Sequence, residues 1–349
     1  MKRILIVLLI LAGCALSAAA QDASPVKKHA RLVIGDTVSR QKLLVRDARF
    51  AQRDTCDLSM DLYLPYDNLD NHPCVVFVYG GGFVMDNQKE ESNVKFCSHL
   101  AEDGFVTAAI NYRLGLKGVK SKGALDMVSD MDVAVRMAEE DLFSAVEYLR
   151  ANAAELTIDP DRIILIGSSA GAITVLHADY DLCNRREVAA AMPDDFHFSG
   201  VVALAGAILS HEGKCNWKVH APAPTMFLHG TSDQLVNYKQ IQVFRLGWFG
   251  TNSLVKRFEK FDYPYMCLRF ENRYHEVAAF HNKCYNQILW FLNNYVLEKK
   301  NWQIDATVAD PDLDLGAPWN FDIKAVYGGS TPDHDSHRAA SQSPCRRSG

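Results

Sequence analysis

The segment best equipped for chemistry is Gly167–Gly171, whose sequence is GSSAG. It follows the apolar run Ile163–Ile166 and precedes a helical pattern that begins near Ala172. A glycine on each side of a serine lets a strand turn sharply into a helix, which exposes the central hydroxyl at the helix N-terminus. The helix dipole favours developing negative charge at that point. This kind of turn is called a nucleophile elbow, and Ser169 is therefore the predicted nucleophile.

A second candidate is the glycine triplet Gly80–Gly82, which follows the apolar run Val75–Val78. Backbone N–H groups in such a loop can turn towards a carbonyl oxygen that becomes an oxyanion. The N–H groups of Gly81 and Gly82, together with that of Ala170, are the predicted oxyanion hole. A phosphate-binding loop is also rich in glycine, but no GxxxxGK pattern follows here.

A serine nucleophile needs a base, and the base needs an acceptor that fixes its tautomer. Asp233 lies in a polar loop after the strand pattern 225–229, and His275 lies between the last predicted strand and the last predicted helix. The order Ser, Asp, His is typical of folds built around a GxSxG turn. His229 is expected to be a packed, hydrogen-bonded strand residue and His281 a helix residue, so His275 is the predicted base.

The elements that would position these residues alternate between strand and helix. Continuous apolar runs are typical of strands that are covered on both faces. Strands are predicted at 75–78, 106–110, 163–166, 201–204, 225–229 and 266–270, and helices at 91–101, 130–152 and 277–297. Residues 57–64 alternate polar and apolar, which with the preceding stretch predicts an antiparallel edge hairpin. The fold class is therefore α/β, with a doubly wound, mostly parallel sheet.

Two stretches, 179–198 and 238–249, do not fit the repeating unit. Insertions after the carboxyl ends of strands build binding sites in such sheets, so both are expected to be small cap-like parts of the pocket. The alternative is that the aromatic residues Phe244, Trp248 and Phe249 only cover the sheet edge.

The expected domain organisation is a single catalytic domain over 43–300, preceded by a linker over 21–42. Residues 301–349 form a C-terminal extension, and the composition of its last part predicts disorder. Three alternating aspartates in the extension lack the EF-hand pattern, so a solvated loop is expected there and not a calcium site. These residues are Asp310, Asp312 and Asp314.

The N-terminus, residues 1–20, resembles a secretory signal peptide: two basic residues, an apolar run too short for a membrane anchor, and small residues before Gln21. A second interpretation treats Leu11–Cys14 as a lipobox with a lipidated Cys14. Export to the periplasm or the medium is expected in either case. A membrane attachment is expected only if Cys14 is lipidated.

The composition is that of a soluble globular protein, with 48% hydrophobic and 23% charged residues. A net charge of −5 argues against nucleic acid and polyanionic partners. No cysteine pair has CxxC spacing, and the predicted chemistry requires no metal or organic cofactor. Cys183 and Cys215 flank the predicted pocket, so a disulfide between them is a hypothesis.

The glycine triplet, the GSSAG segment, the loop with Asp233 and the loop with His275 follow one another along the chain. In this order they resemble the carboxylesterase and hormone-sensitive-lipase-like branch of the α/β-hydrolase superfamily over about residues 55–297. Asn111–Leu114 is similar to the stretch that ends a strand in the family. Asp159–Arg162 is similar to the turn that precedes the strand before the nucleophile elbow. In one departure, Tyr79 occupies a position where family members usually carry a histidine that helps to hold the loop. The anchoring of the glycine loop is therefore an open question.

The resemblance implies attack by Ser169, proton transfer through His275 oriented by Asp233, and an acyl-enzyme that water hydrolyses. The favoured function is hydrolysis of carboxylic esters of small acyl groups, with acetyl and feruloyl esters of carbohydrates as candidates. A serine peptidase on the same fold would need carboxylates for a free amine, and Glu139–Asp141 is expected to be a solvated face instead. A silent binding protein would not need all three residues.

Overall fold

The computed structural model of the chain describes residues 44–54, 56–67, 69–121, 123–309 and 316–319. The predicted signal segment, the linker over 21–42, Cys14 and the aspartates at 310–314 lie outside the described residues.

Twelve strands occur in the described part of the chain. They are β1 Leu44–Arg53, β2 Cys56–Leu64, β3 His72–Val78, β4 Val106–Ile110, β5 Ile158–Ser168, β6 Gly200–Leu204, β7 Ala207–Ser210, β8 Thr225–Gly230, β9 Gln240–Val243, β10 Leu246–Gly250, β11 Tyr265–Phe270 and β12 Gln303–Val308. The α-helices of this part are α1 Glu91–Glu102, α2 Ala124–Ala151, α3 Ala170–Cys183, α4 Thr251–Phe261 and α5 Tyr285–Phe291.

Nine strands form the main sheet in the order β1-β2-β4-β3-β5-β6-β8-β11-β12. Every neighbouring pair from β4 to β12 is parallel, whereas β1 pairs antiparallel with β2 and β2 with β4. The predicted mostly parallel sheet with an antiparallel edge hairpin is confirmed.

The central strands are buried because helices cover both of their faces. All seven residues of β3 and all five of β4 and β6 are buried, as expected of continuous apolar runs. The helix α3, which follows the GSSAG segment, is buried at thirteen of its fourteen positions. Because the rest of the domain encloses α3 on almost every side, the segment after Ser169 is held in place.

The C-terminal part of the domain differs from the prediction. Strand β12 pairs in parallel with β11, so the sheet continues past residue 300, where the sequence placed the end of the domain. The single helix expected over 277–297 is also wrong: a 3-10 helix at His275–Ala279 is followed by α5 and by a π-helical turn at Leu292–Leu297. Strand β12 is short, with alternating exposed residues, and lacks the apolar run that marked the other strands.

A second, three-stranded antiparallel sheet has the order β7-β10-β9. It contains the 238–249 segment, which the sequence assigned to a cap-like insertion. Strand β7 follows β6 within three residues, which places this small sheet beside the carboxyl end of the main one.

The disulfide hypothesised between Cys183 and Cys215 is wrong, because both residues are buried free thiols. The Cys183 thiol donates to the carbonyl oxygen of Ala221 at 3.3 Å. Burial raises the pKa of both thiols. They behave as small apolar side chains of the core. No α-helix of the described part is both long and apolar enough to cross a bilayer.

This arrangement predicts the outcome of thiol labelling. Iodoacetamide added to the denatured protein without a reductant should alkylate Cys183 and Cys215 fully, to the same extent as in a reduced control. Peptide mass spectrometry would detect both adducts. A disulfide-linked peptide containing the two residues would contradict the structure.

Candidate active site

Ser169 occupies the turn between β5 and α3, with φ of 49° and ψ of −116°. A non-glycine residue with this backbone conformation is strained by about 1 to 3 kcal/mol, and such strain persists only where the surroundings enforce it. The flanking glycines explain how. A Cβ at Gly167 would lie 2.3 Å from the carbonyl oxygen of Gly171, and a Cβ at Gly171 would lie 2.0 Å from that of Val78. The tight turn is therefore possible only with glycine at both positions.

The three predicted catalytic side chains are in hydrogen-bond contact. Ser169 Oγ lies 2.8 Å from His275 Nε2, and His275 Nδ1 lies 2.8 Å from Asp233 Oδ2. Because an ionised carboxylate only accepts, the proton of a neutral His275 lies on Nδ1 and its Nε2 accepts from Ser169. The geometry is that of a nucleophile, a general base and an orienting acid.

The parallel sheet brings these residues together. Ser169 follows β5, Asp233 follows β8 by three residues, and His275 follows β11 by five. Strand β6 separates β5 from β8, and β11 pairs directly with β8. Since parallel strands end at one edge of the sheet, side chains 106 residues apart in the chain meet there.

Asp233 is held on both of its oxygens. Oδ1 accepts the backbone N–H groups of Leu235 at 2.9 Å and Val236 at 3.1 Å. Oδ2 contacts His275 and also His229, whose Nε2 lies 3.1 Å away. The sequence correctly placed His229 as a packed, hydrogen-bonded residue but gave no sign that its partner is Asp233.

The orientation of His229 is fixed from both sides of the ring. Its Nε2 faces two acceptors, Asp233 Oδ2 and the carbonyl oxygen of Val236 at 3.0 Å, so this nitrogen carries a hydrogen. Its Nδ1 lies 2.8 Å from Thr251 Oγ1 on α4. A chain of hydrogen bonds thus runs from Thr251 through His229, Asp233 and His275 to Ser169.

Two opposing effects act on the pKa of Asp233. Burial raises it, but hydrogen bonds from His229 and His275 outweigh burial and bring the pKa below the ordinary value of 3.8. The carboxylate is therefore ionised at neutral pH, as an acceptor that orients and stabilises an imidazolium must be.

The glycine loop lies beside the nucleophile. Gly81 and Gly82 have φ of 131° and 63°. Residues with a Cβ adopt such conformations only with strain, which explains why both positions are glycine. A Cβ at Gly80 would lie 3.1 Å from that of Ser169. Gly81, Gly82 and Ala170 line the same cavity as Ser169 and His275. Their role as oxyanion donors stays a prediction that this proximity supports.

Anchoring of the loop involves Tyr79, the departure noted in the sequence. Its buried ring stacks on Tyr112 at a centroid distance of 4.7 Å, and the Tyr112 hydroxyl donates to the carbonyl oxygen of Tyr79 at 3.0 Å. On the far side of the loop, the N–H of Leu116 donates to the carbonyl oxygen of Phe83 at 3.0 Å. Here an aromatic pair holds the base of the loop, and Tyr112 belongs to the strand-end stretch that resembled the family.

The triad opens into a cavity of about 1040 Å³. Of the two stretches expected to form the pocket, 238–249 contributes: Phe244 and Trp248 line the wall, whereas Phe249 is buried and does not. None of the residues 179–198, all of them described, lines the cavity. That stretch contains the end of α3 and a short 3-10 helix at Glu187–Ala189.

His281, the rejected base, is not on a helix as expected but in a turn after the 3-10 helix. It is buried, and burial lowers its pKa to about 4. Its Nε2 lies 3.3 Å from the carbonyl oxygen of Ser92, so the His281 side chain has a structural contact away from the triad. Within the described residues, no group of three or more His, Cys, Asp or Glu side chains is placed to hold a metal ion.

Comparison with known proteins agrees with this architecture. Residues 60–206 match the family model BD-FAE. Gut esterase 1 of Caenorhabditis elegans is 24% identical over 140 residues, 40% of this chain and 23% of the relative. Carboxylesterase 1C of Rattus norvegicus is 28% identical over 120 residues, 34% of this chain and 20% of the relative. The chain thus spans about a fifth of the length of these curated relatives.

Among solved structures, Thermogutta terrifontis esterase 2 phosphoramylated by tabun matches with a TM-score of 0.54 and 22% identity, over 74% of this chain and 95% of that one. This likeness shows the fold. The protein has the α/β-hydrolase fold, and its sequence is similar to esterases. The resemblance to the carboxylesterase branch that the sequence predicted is confirmed.

The elbow glycines give a stability prediction. Gly171→Ala should lower the free energy of unfolding by about 2 kcal/mol or more, because the new Cβ collides with the backbone of β3. Gly123→Ala is the control, since a Cβ there meets no atom within 4 Å. Urea unfolding followed by circular dichroism measures both. Equal stability of the two variants would contradict the close approach.

Because the pKa of Asp233 is lowered in the folded protein, the free energy of unfolding should depend on pH in the acid range. An Asp whose folded pKa lies below its unfolded value, about 3.9, adds stability that is present above that pH and is lost as pH falls towards the folded pKa. Asp233→Asn lacks this titration. Unfolding free energies measured from pH 7 to pH 2 should therefore fall more in the wild type than in Asp233→Asn. Identical losses would show that Asp233 has an ordinary pKa.

Proposed function

We propose that the protein hydrolyses carboxylic esters through an acyl-enzyme on Ser169. The observation that carries this proposal is the pair of 2.8 Å contacts that link Ser169 Oγ, His275 and Asp233 at the wall of an open cavity. A silent binding protein has no use for such an arrangement. The esterase relatives support the same class of reaction.

In the first half of the reaction, His275 Nε2 accepts the hydroxyl proton while Ser169 Oγ bonds to the ester carbonyl carbon. Negative charge moves to the carbonyl oxygen, which the N–H groups of Gly81, Gly82 and Ala170 bind at the N-terminus of α3. The C–O bond to the alcohol then breaks, and the protonated His275 returns its proton to the departing alkoxide. The acyl group remains on Ser169.

In the second half, water takes the place of the alcohol. His275 accepts a proton from water as the oxygen bonds to the acyl carbon, and the same donors bind the second oxyanion. The bond to Ser169 Oγ breaks, His275 reprotonates the serine, and the carboxylic acid leaves. Asp233 stabilises the imidazolium in both halves without accepting its proton.

The proposed substrates are esters of small acyl groups, with acetyl and feruloyl esters of carbohydrates as candidates. An acetyl group fills a small fraction of a cavity of about 1040 Å³, so the aromatic feruloyl group makes fuller use of it. The polar side chains Asn87, Glu90 and Asn237 also line the cavity and can bond sugar hydroxyls.

The peptidase alternative has weaker support. Its best carboxylate cluster, Glu139–Asp141, is not the solvated face expected from the sequence: Glu139 and Asp141 are buried, and only Glu140 is partly exposed. Asp141 accepts from Arg113 at 2.9 Å and from Arg53 at 3.0 Å, so it fastens β1 and the strand-end stretch to α2.

The cavity itself offers little for a free amine. Among the described residues that line it, Glu90 is the one acidic side chain. A single exposed carboxylate gives less binding for a peptide N-terminus than the pair that such an enzyme needs. We therefore favour ester over peptide substrates.

Export is part of the proposal and depends on residues 1–20, which carry the pattern of a secretory signal. Lipidation at Cys14 would add a membrane anchor, whereas cleavage after Ala20 would release the protein into the periplasm or the medium. The expected partners are small-molecule or carbohydrate esters and not nucleic acid.

Loss of the nucleophile tests the assignment. Ser169→Ala should reduce kcat for p-nitrophenyl acetate by at least about 10⁴-fold, because no acyl-enzyme can form. Ser199→Ala is the matched control, since Ser199 precedes β6 and bonds the carbonyl oxygen of Asp161 at 3.2 Å, at the opposite end of the strands. Aminoacyl-p-nitroanilides should be cleaved more slowly than the ester. Retained esterase activity in Ser169→Ala would exclude the proposal, and faster anilide cleavage would favour the peptidase.

A further inference from the structure

The small sheet presents one continuous apolar face to the cavity. Directly opposed residues of adjacent antiparallel strands lie on the same face. Leu209 of β7 opposes Trp248 of β10, which opposes Ile241 of β9. Leu246 opposes Val243 in the next row. These five residues all line the cavity that contains Ser169.

The other face of β9 is different in character. Gln240 and Gln242 alternate with the apolar residues and point away from the first face, as successive strand residues do. The Gln240 side chain accepts from Ser253, and the Gln242 amide donates to the carbonyl oxygen of Phe244. Within β9, the apolar side chains are thus confined to the side that lines the cavity with the catalytic serine.

The outer part of this apolar face is exposed to solvent. All four residues of β9 are exposed, and Val243 and Phe244 are 63% and 94% exposed. Edge strands usually avoid exposed apolar side chains, because these promote association. Half of the large apolar side chains that are exposed in the described part of the chain line this one cavity. They are Met85, Leu125, Ile241, Val243, Phe244 and Trp319.

A second apolar wall comes from the first turns of α2. Leu125, Val128 and Met131 follow each other at helical spacing and line the cavity, as does Met127. Residues three and four apart share one face of a helix. Methionine side chains adapt to ligands of varied shape. The charged side chains Glu90 and Arg245 are exposed at the mouth of the cavity.

We infer that the hairpin β9–β10 and the start of α2 form a specificity site for esters in which one half is an extended apolar or aromatic group. The inference rests on the proposed ester hydrolysis. The apolar group occupies the track that begins beside Ser169, passes Trp248 and ends at Val243 and Phe244. The same track would bind an apolar acyl group or an apolar alcohol, and only measurement separates these two sources.

The group that occupies the track belongs to the substrate and not to a partner protein, because the exposed apolar residues are continuous with the wall of the catalytic cavity. Burial of one methylene on such a surface favours binding about threefold to fourfold. Because the outer end of the track is exposed at Val243 and Phe244, we expect the six additional methylenes of an octanoyl or octyl chain to gain the equivalent of about two to three fully buried methylenes. In the arm whose chain occupies the track, kcat/KM for the long ester should therefore exceed that for the short ester by about 10- to 60-fold.

Two substrate series test the inference. The acyl arm compares p-nitrophenyl acetate, butyrate and octanoate, and the alcohol arm compares ethyl acetate with octyl acetate in a pH-stat. The variants are Val243→Ser and Phe244→Ser. Val219→Ser is the matched control, because Val219 is 56% exposed and does not line the cavity.

The expected result is a long-to-short ratio of kcat/KM that falls about 3- to 10-fold in each hairpin variant and stays unchanged in Val219→Ser. The arm that shows this fall identifies the half of the ester that occupies the track. Thermal unfolding of each variant checks that the fold persists. A wild-type ratio near one in both arms, or hairpin variants that keep the wild-type ratio, would overturn the inference.

Binding can be measured without catalysis. In Ser169→Ala, p-nitrophenyl octanoate should quench tryptophan fluorescence at lower concentration than the acetate does, because Trp248 lies in the track, and Val243→Ser introduced into this variant should remove the difference. Equal quenching by both esters would contradict the specificity site even if hydrolysis fails for other reasons. Size-exclusion chromatography adds a further outcome: a dimer that only the hairpin variants dissociate would assign the face to a second copy and overturn the inference.

Discussion

The carboxylate of Asp233 is the interaction on which the rest of the site depends. Its Oδ2 contacts two imidazoles, those of His275 and His229, while its Oδ1 is held by backbone N–H groups. A buried carboxylate is costly unless every lone pair finds a partner. Here the backbone of the loop after β8, His229 of that strand and His275 supply those partners, and the resulting charge keeps His275 turned towards Ser169.

The sheet and the elbow serve this one contact. Parallel pairing of β8 and β11 puts the acid and the base at neighbouring strand ends, and the sharp turn after β5 raises the serine to meet them. The strained backbone of Ser169 is tolerated because α3 is buried along nearly its whole length and its N-terminus packs against β3. The cavity above takes one wall from the separate small sheet and others from the glycine loop and the start of α2.

Much of this arrangement could be predicted from the sequence, because local chemistry dictated it. The glycines of the elbow, the glycine loop and the continuous apolar runs each have one ready physical explanation, and together they indicated the central sheet, Ser169, Asp233 and His275. The predictions that failed concerned features that tertiary contacts determine. Strand β12 has no apolar run, and the helix after His275 is broken. Asp141 is buried and pairs with Arg53 and Arg113, which are distant from it in the chain. The contact between His229 and Asp233 also required coordinates, since a strand histidine followed by a loop aspartate has many ordinary partners.

The most direct measurement of the central claim is the reaction of the folded protein with a fluorophosphonate ester, followed by intact mass and peptide mass spectrometry. An activated serine hydroxyl displaces fluoride and retains the phosphonyl group, whereas an ordinary serine does not react. The account predicts one adduct per chain, on Ser169, formed slowly in His275→Ala and not at all after denaturation. An unmodified protein, or an adduct on Ser168 or another residue in place of Ser169, would contradict it.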